Sequence, residues 1–249
     1  MSRSAPEITA AANPAKRRIE VKSTGIQEYI PSKTDGEKGT NKTHDIPFGF
    51  IVLDEVNCIT GYSESKKLGF YSNEIKELSK DVLVVRCGKD IVAKGLYEDI
   101  KEKMKAQGGK FTTCAYAVIR NGSGFDMVRI MFAGASVGAW FEFKRKANIY
   151  GDNAVIISGW KEDKKGAVTF NVPIFSTSSI KPEVVHETGE LDAELQSWLK
   201  PFMFQQQKEI KGGDGGDDGY DGDYSQDKGS EKSTRDEQHE EYESEEIPF

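Results

Sequence analysis

Six short segments do most to limit what this chain can fold into. They are IPFGFIVL (46–53), DVLVVRC (81–87), TTCAYAVIR (112–120), DMVRIMFA (126–133), NAVIISGW (153–160) and VTFNVPIF (168–175). Each is rich in β-branched or aromatic residues and is bounded by Gly, Asn, Asp or Lys clusters, the pattern of strands separated by turns. Two stretches carry a helical pattern instead. One is IVAKGLYEDIKEKMKAQ (91–107), stopped by Gly108-Gly109; the other is LDAELQSWLKPFMFQQQ (191–207), interrupted by Pro201. A third helix is expected over ASVGAWFEFKRK (135–146), where Val137, Trp140, Phe141 and Lys144 recur at the spacing of one helical face. Many short strands with two or three helices predict a mainly β fold, a small mixed β-barrel.

Strand alternation then sorts side chains by face. In CAYAVIR, Ala115, Ala117 and Ile119 fall on one side and Tyr116, Val118 and Arg120 on the other. After the turn NGSG, Val128, Ile130 and Phe132 continue the core-like side, leaving Met127, Arg129 and Met131 opposite. The second face therefore offers Tyr116, Arg120 and Arg129 together. A ring beside two guanidiniums suits base stacking and phosphate contact, and an ordinary solvated face carries such residues too.

The ends differ from the middle in composition. Residues 1–43 are rich in Ala, Pro, Ser, Thr, Lys and Gly and read as a flexible arm with a basic cluster at Lys16-Arg17-Arg18. Residues 44–210 form the folded domain, and 211–249 an acidic, Gly-rich tail expected to be disordered. From Gly212 to Phe249 there are 14 acidic and 3 basic residues, a net of −11; the rest of the chain holds 31 basic and 27 acidic residues, a net of +4. A basic body with an acidic tail fits a nucleic-acid binder with an interaction tail, and also a solubilising tail on an unrelated domain. Cys58, Cys87 and Cys114 lie far apart among apolar neighbours, which favours buried free thiols in a reducing compartment over zinc or disulfides. No stretch is apolar enough for a membrane span or a signal peptide, so a cytoplasmic protein is expected, with no cofactor and no metal.

The last residues carry the most specific signal. The chain closes on Glu245-Glu246-Ile247-Pro248-Phe249. Phe249 supplies a ring for an apolar pocket, its α-carboxylate can pair with a basic rim, Pro248 stiffens the approach, and Glu245 and Glu246 steer towards basic partners. An acidic Gly-rich tail with this tip resembles the C-terminus of bacterial single-stranded DNA-binding proteins. The body does not show that family's opening strand pattern, and the combination looks most like a phage- or mobile-element-encoded member. The resemblance implies an OB-fold-like barrel. It also implies sequence-independent binding of single-stranded DNA in replication, recombination and repair, with polymerase, helicase or nuclease components recruited through the tip. A homo-oligomer is compatible with it. An internal Asp45-Ile46-Pro47-Phe48 repeats the letters without the terminal carboxylate and reads as the start of a strand.

Binding a single strand needs aromatic platforms and cations. GYSESKKLGFYSN (61–73) supplies Tyr62, Lys66, Lys67 and Tyr71, expected on a loop after the first strand; SGWKEDKKGAV (158–168) supplies Trp160 and Lys161 on a second loop. Rival readings remain open in the residues. An annealing or recombination-mediator protein would share the same features. Gly134-Ala135-Ser136-Val137-Gly138 matches a serine-hydrolase elbow, with Asp152 and His186 following in the right chain order, although the repeated strand–helix pattern of that fold is missing. A structural phage protein with a solvating tail is a third.

Overall fold

The computed structural model of the chain describes residues 12–30 and 39–212. In chain order the elements are β1 (Arg17–Lys22), β2 (Gly25–Ile30), β3 (Thr40–His44), β4 (Phe48–Ser63), β5 (Leu68–Ser72), β6 (Leu83–Cys87), β7 (Asp90–Gly95) and α1 (Tyr97–Ala106). They continue with β8 (Gly109–Asn121), β9 (Gly124–Ala133), α2 (Ala135–Lys146), β10 (Asn153–Lys165), β11 (Val168–Ser179) and α3 (Pro182–Gly212). The fold is mainly β with three helices, as the alternation predicts. The main sheet runs β3-β2-β1-β9-β8-β4-β5-β6-β7, with β10 joined to both β4 and β11, and it does not close on itself. All named pairs are antiparallel except β1 with β9.

All six expected strands form, each as part of an observed strand. The reading of 1–43 as a flexible arm is corrected for its described part. Arg17–Lys22 alternates Ile19 and Val21, both buried, with Arg18, Glu20 and Lys22. That is a strand pattern hidden inside a basic cluster, and its parallel partner β9 lies more than a hundred residues away. Arg17 is drawn inward by Glu28, to which it donates from Nε at 2.6 Å and Nη2 at 2.8 Å; His44 and Asp126 complete the group. Residues 91–95 belong to β7 instead of the expected helix, which starts only at Tyr97. At the other end α3 starts nine residues earlier than expected and runs through Pro201.

Strand β4 organises the molecule. Its first residues pair with β10, Ile51 to Gly61 pair with β8, and Thr60 to Ser63 pair with β5. A bulge between Val52 and Asp54 re-aims the strand. Phe48, Phe50 and Val52 therefore face one core, while Ile51 and Val56 face another. The first core holds the expected Ala115, Ala117, Ile119, Val128, Ile130 and Phe132, closed by Val137 and Trp140 of α2. Trp140 stacks on Phe132 at 4.6 Å, and its Nε1 donates to Glu55, which also accepts from Lys144 and Tyr150. The second core lies on the opposite face beneath Leu195, Leu199 and Met203 of α3. A third joins Ile59, Phe70 and Val85 to Ile100 and Met104 of α1. Each fully buried aliphatic or aromatic side chain contributes about 1.5–3 kcal/mol. The three cysteines are buried, and burial pushes the Cys58 thiol up to about 12.

Candidate nucleic-acid interface

The hairpin of β8 and β9 sorts its faces as expected, but its second face is covered. Tyr116 is fully buried; its hydroxyl donates to Glu74 Oε2 at 2.7 Å and accepts from Asn13 at 3.3 Å, and its ring lies 6.2 Å from that of Trp198 on α3. Burial, and then the neighbouring Glu74, holds the Tyr116 phenol far above its ordinary value, and burial raises the Glu74 carboxyl in turn. Arg129 stands opposite Tyr116, with its side chain 16% exposed and Nη1 4.0 Å from Glu74. Arg120 is exposed at the far end of β8 over the Phe125 ring. The expectation of an open Tyr116–Arg120–Arg129 platform is therefore corrected. Alternation reports which side chains share a face, and the return of α3 from the far end of the chain, with Glu74 and the segment at residues 13–15, decides which part of that face is covered.

Beyond α3 the same face does stay open. The registers place Lys110 of β8 opposite Thr60 of β4, Thr60 opposite Tyr71 of β5, Tyr71 opposite Arg86 of β6, and Arg86 opposite Ile91 of β7. Residues directly opposite share a side of the sheet, so these five make one row across five strands. Cys58, Thr112, Cys114 and Tyr116 continue that side two residues apart along β4 and β8, and Cys114 and Tyr116 lie in the core beneath α3. Lys110 and Ile91 are exposed, and Thr60, Tyr71 and Arg86 are half-buried. Tyr62 follows Thr60 at the next position on that side and is 40% exposed. Lys94, opposite Val84 and exposed, adds another cation. The reverse side of these strands is core, with Phe70, Val85, Cys87 and Ala93 packed there.

Local hydrogen bonds set this surface. The Tyr71 hydroxyl donates to the Gly88 carbonyl at 2.7 Å, and Arg86 Nη1 donates to the Lys89 carbonyl at 3.3 Å. Thr60 and Thr112 share a hydroxyl contact at 2.7 Å. At the rim, Ser63 to Lys67 form a tight turn in place of the expected long loop, with Lys67 at φ 55°. Lys66 pairs with Asp90 at 3.0 Å and Lys67 with Glu64 at 2.7 Å, both exposed. Exposed pairs of this kind are weak, so an incoming phosphate can exchange for either carboxylate.

The second expected loop is a hairpin, β10 with β11. A bulge between Ile157 and Gly159 turns Trp160 towards the first core, against which it packs, while Lys161 lies on the opposite face. Trp160 and Lys161 are thus not brought together. At the hydrolase-like elbow, Ser136 Oγ donates to the Ala133 carbonyl at 2.9 Å and accepts from the Ala133 amide at 3.0 Å, which ties it into the turn between β9 and α2. Asp152 and His186 are exposed. Among the described residues no group of three or more His, Cys, Asp or Glu side chains is placed to hold a metal, and no helix is long and apolar enough to cross a membrane.

Comparison with known proteins adds no relative. No family model, curated protein or solved structure matches the chain. The tip residues Glu245, Glu246, Ile247, Pro248 and Phe249 lie outside the described residues. Their internal counterpart is placed: Phe48 is buried at the start of β4, as expected of a strand start. Of the residues on this face, the sequence singles out Tyr62 and Tyr71, expected on a loop, and not Arg86, Lys94 or Lys110. The alternation of LVVRC does put Arg86 opposite Leu83, Val85 and Cys87, so one signal was available.

Proposed function

We propose that this protein binds single-stranded DNA without sequence preference on the open face of β8, β4, β5, β6 and β7, and recruits replication and repair enzymes through its terminal Ile247-Pro248-Phe249. The observation that carries the reading is the cross-strand row from Lys110 through Tyr71 and Arg86 to Ile91, with Tyr62 beside it. Tyrosine rings on a sheet backed by a packed core offer stacking surfaces that any base fits. Arg86, Lys94, Lys110 and the rim lysines supply charge for phosphates. The acidic tip supports the second half, for the reasons its chemistry gives. An OB-type barrel belongs to the same proposal. It draws support from the 16-residue, bulged β4, which serves three partner strands at different points along its length.

A fluorescence titration of labelled poly-dT against a duplex of equal length, at several salt concentrations, tests this. The single strand binds more tightly, and affinity falls as salt rises. Replacing Arg86 and Lys110 with Ala removes two phosphate partners, so the log–log salt slope flattens by roughly 1.4. Equal affinity for duplex and single strand, or an unchanged slope in the double variant, defeats the assignment. Acceleration of strand pairing in the same assay would identify an annealing protein instead.

A further inference from the structure

The hairpin of β10 and β11 presents a second face that the DNA-binding proposal does not use. Beyond the bulge, its inner side carries Trp160 and the buried Pro173 towards the first core, and Asn171, whose Nδ2 donates to Ser23 O at 3.1 Å. The outer side is set by the register. On β11 it carries Val168, Phe170, Val172 and Ile174 at every second position; on β10 it carries Gly159, Lys161, Asp163 and Lys165. Ile174 is 45% exposed, the other three are half-buried, and Lys161 and Asp163 are exposed. A two-stranded ribbon is marginal by itself in water, and an apolar stripe along one face of it calls for cover.

We propose that this outer face docks on the same face of a second copy of the chain. The pattern is self-complementary under a two-fold axis. Stacking two such ribbons antiparallel sets β11 over β11 and β10 over β10, about 10 Å apart. With the axis lying between the Lys161 and Asp163 positions, each copy's Lys161 faces the other's Asp163. The same axis sets Val172 against Phe170 and Ile174 against Val168, because those residues stand opposite the corresponding β10 positions. Lys165 on the same side falls opposite the other copy's Gly159, so one register satisfies the Lys161–Asp163 pairs and the apolar stripe together. No other chemistry is needed in the partner. The contact spans only part of one hairpin, so the association is weak and depends on concentration.

A charge exchange tests it with the full chain by sedimentation velocity at near-physiological salt, where tails on different molecules are largely screened from one another. The wild-type protein shows a monomer–dimer equilibrium. Asp163→Lys alone places like charges across the axis, as does Lys161→Glu alone, and each weakens self-association by about tenfold or more. An equimolar mixture of the two variants restores association, since each charge at positions 161 and 163 then faces its opposite. That recovery also shows that both variants are folded. A wild-type protein that stays monomeric at every soluble concentration overturns the proposal. So does a mixture that associates no better than its components. Neither result bears on the DNA titration, so this inference and the DNA-binding proposal fail separately.

Discussion

Tyr116 and Tyr71 lie on one side of one sheet, and α3 covers the first but not the second. Replacing each with Ala should separate fold from binding. Tyr116 is fully buried between the sheet and Trp198, so truncation leaves a cavity costing about 3–5 kcal/mol. It also takes the phenolic donor from the buried Glu74, a group whose lost hydrogen bond adds ~1–3 kcal/mol. With a central total of about 6 kcal/mol, a domain of this size loses roughly 12–24 °C in Tm. Tyr71 is half-buried, and loss of its bond to Gly88 costs ~1 kcal/mol, or about 2–4 °C in Tm, well short of the Tyr116 effect. On DNA the order reverses. Loss of a stacking ring costs about 1–3 kcal/mol, or ~5- to 150-fold in Kd for Tyr71→Ala. Tyr116→Ala, measured well below its own Tm, should hold close to wild-type affinity. Circular-dichroism melts and poly-dT anisotropy on both variants supply the four numbers. A Tyr116→Ala protein that melts like wild type but no longer binds DNA would refute the reasoning, because it would place Tyr116 in the site and α3 off it.

Two buried carboxylates should tilt stability in opposite directions with pH. Hydrogen bonds from Arg17, and then from His44, hold Glu28 below its usual value of 4.5, so its contribution is present above 4.5 and is lost as pH falls through the lowered value. Burial holds Glu74 above 4.5, so its contribution is complete below 4.5 and is lost as pH rises through the raised value. Urea titrations across this range should show Glu28→Gln flattening the acid limb and Glu74→Gln flattening the limb above 4.5; a Glu74→Gln profile parallel to wild type would contradict the buried placement. Deleting Phe249 should leave poly-dT affinity nearly unchanged and abolish capture of a replication or repair enzyme that binds bacterial-type tips, as should adding one residue after it. Undiminished pull-down by both variants would make the terminal tripeptide incidental.

Sequence alone determined the period of this molecule. Six segments with two-residue alternation became strands, and the faces of β8 and β9 sort as their alternation requires, because a side chain's side of a strand is set locally by the pleat. The length of α2, its buried Val137 and Trp140, and the burial of the three cysteines were legible for similar reasons of local pattern and polarity. What sequence did not determine was which side of the sheet meets water. Tyr116 and Tyr71 are chemically alike and share a side, and they differ because α3, Glu74 and the segment at residues 13–15 enclose Tyr116. The strand at Arg17–Lys22 was missed for the same reason. Its charges suit an exposed arm until β9 arrives as a neighbour and Glu28, His44 and Asp126 surround Arg17. Even the face of Trp160 depended on one extra residue at the β10 bulge, which moves every later side chain to the other side of the ribbon. Alternation is a property of neighbours in sequence, whereas exposure is a property of neighbours in space, and only the tertiary structure supplies the second kind.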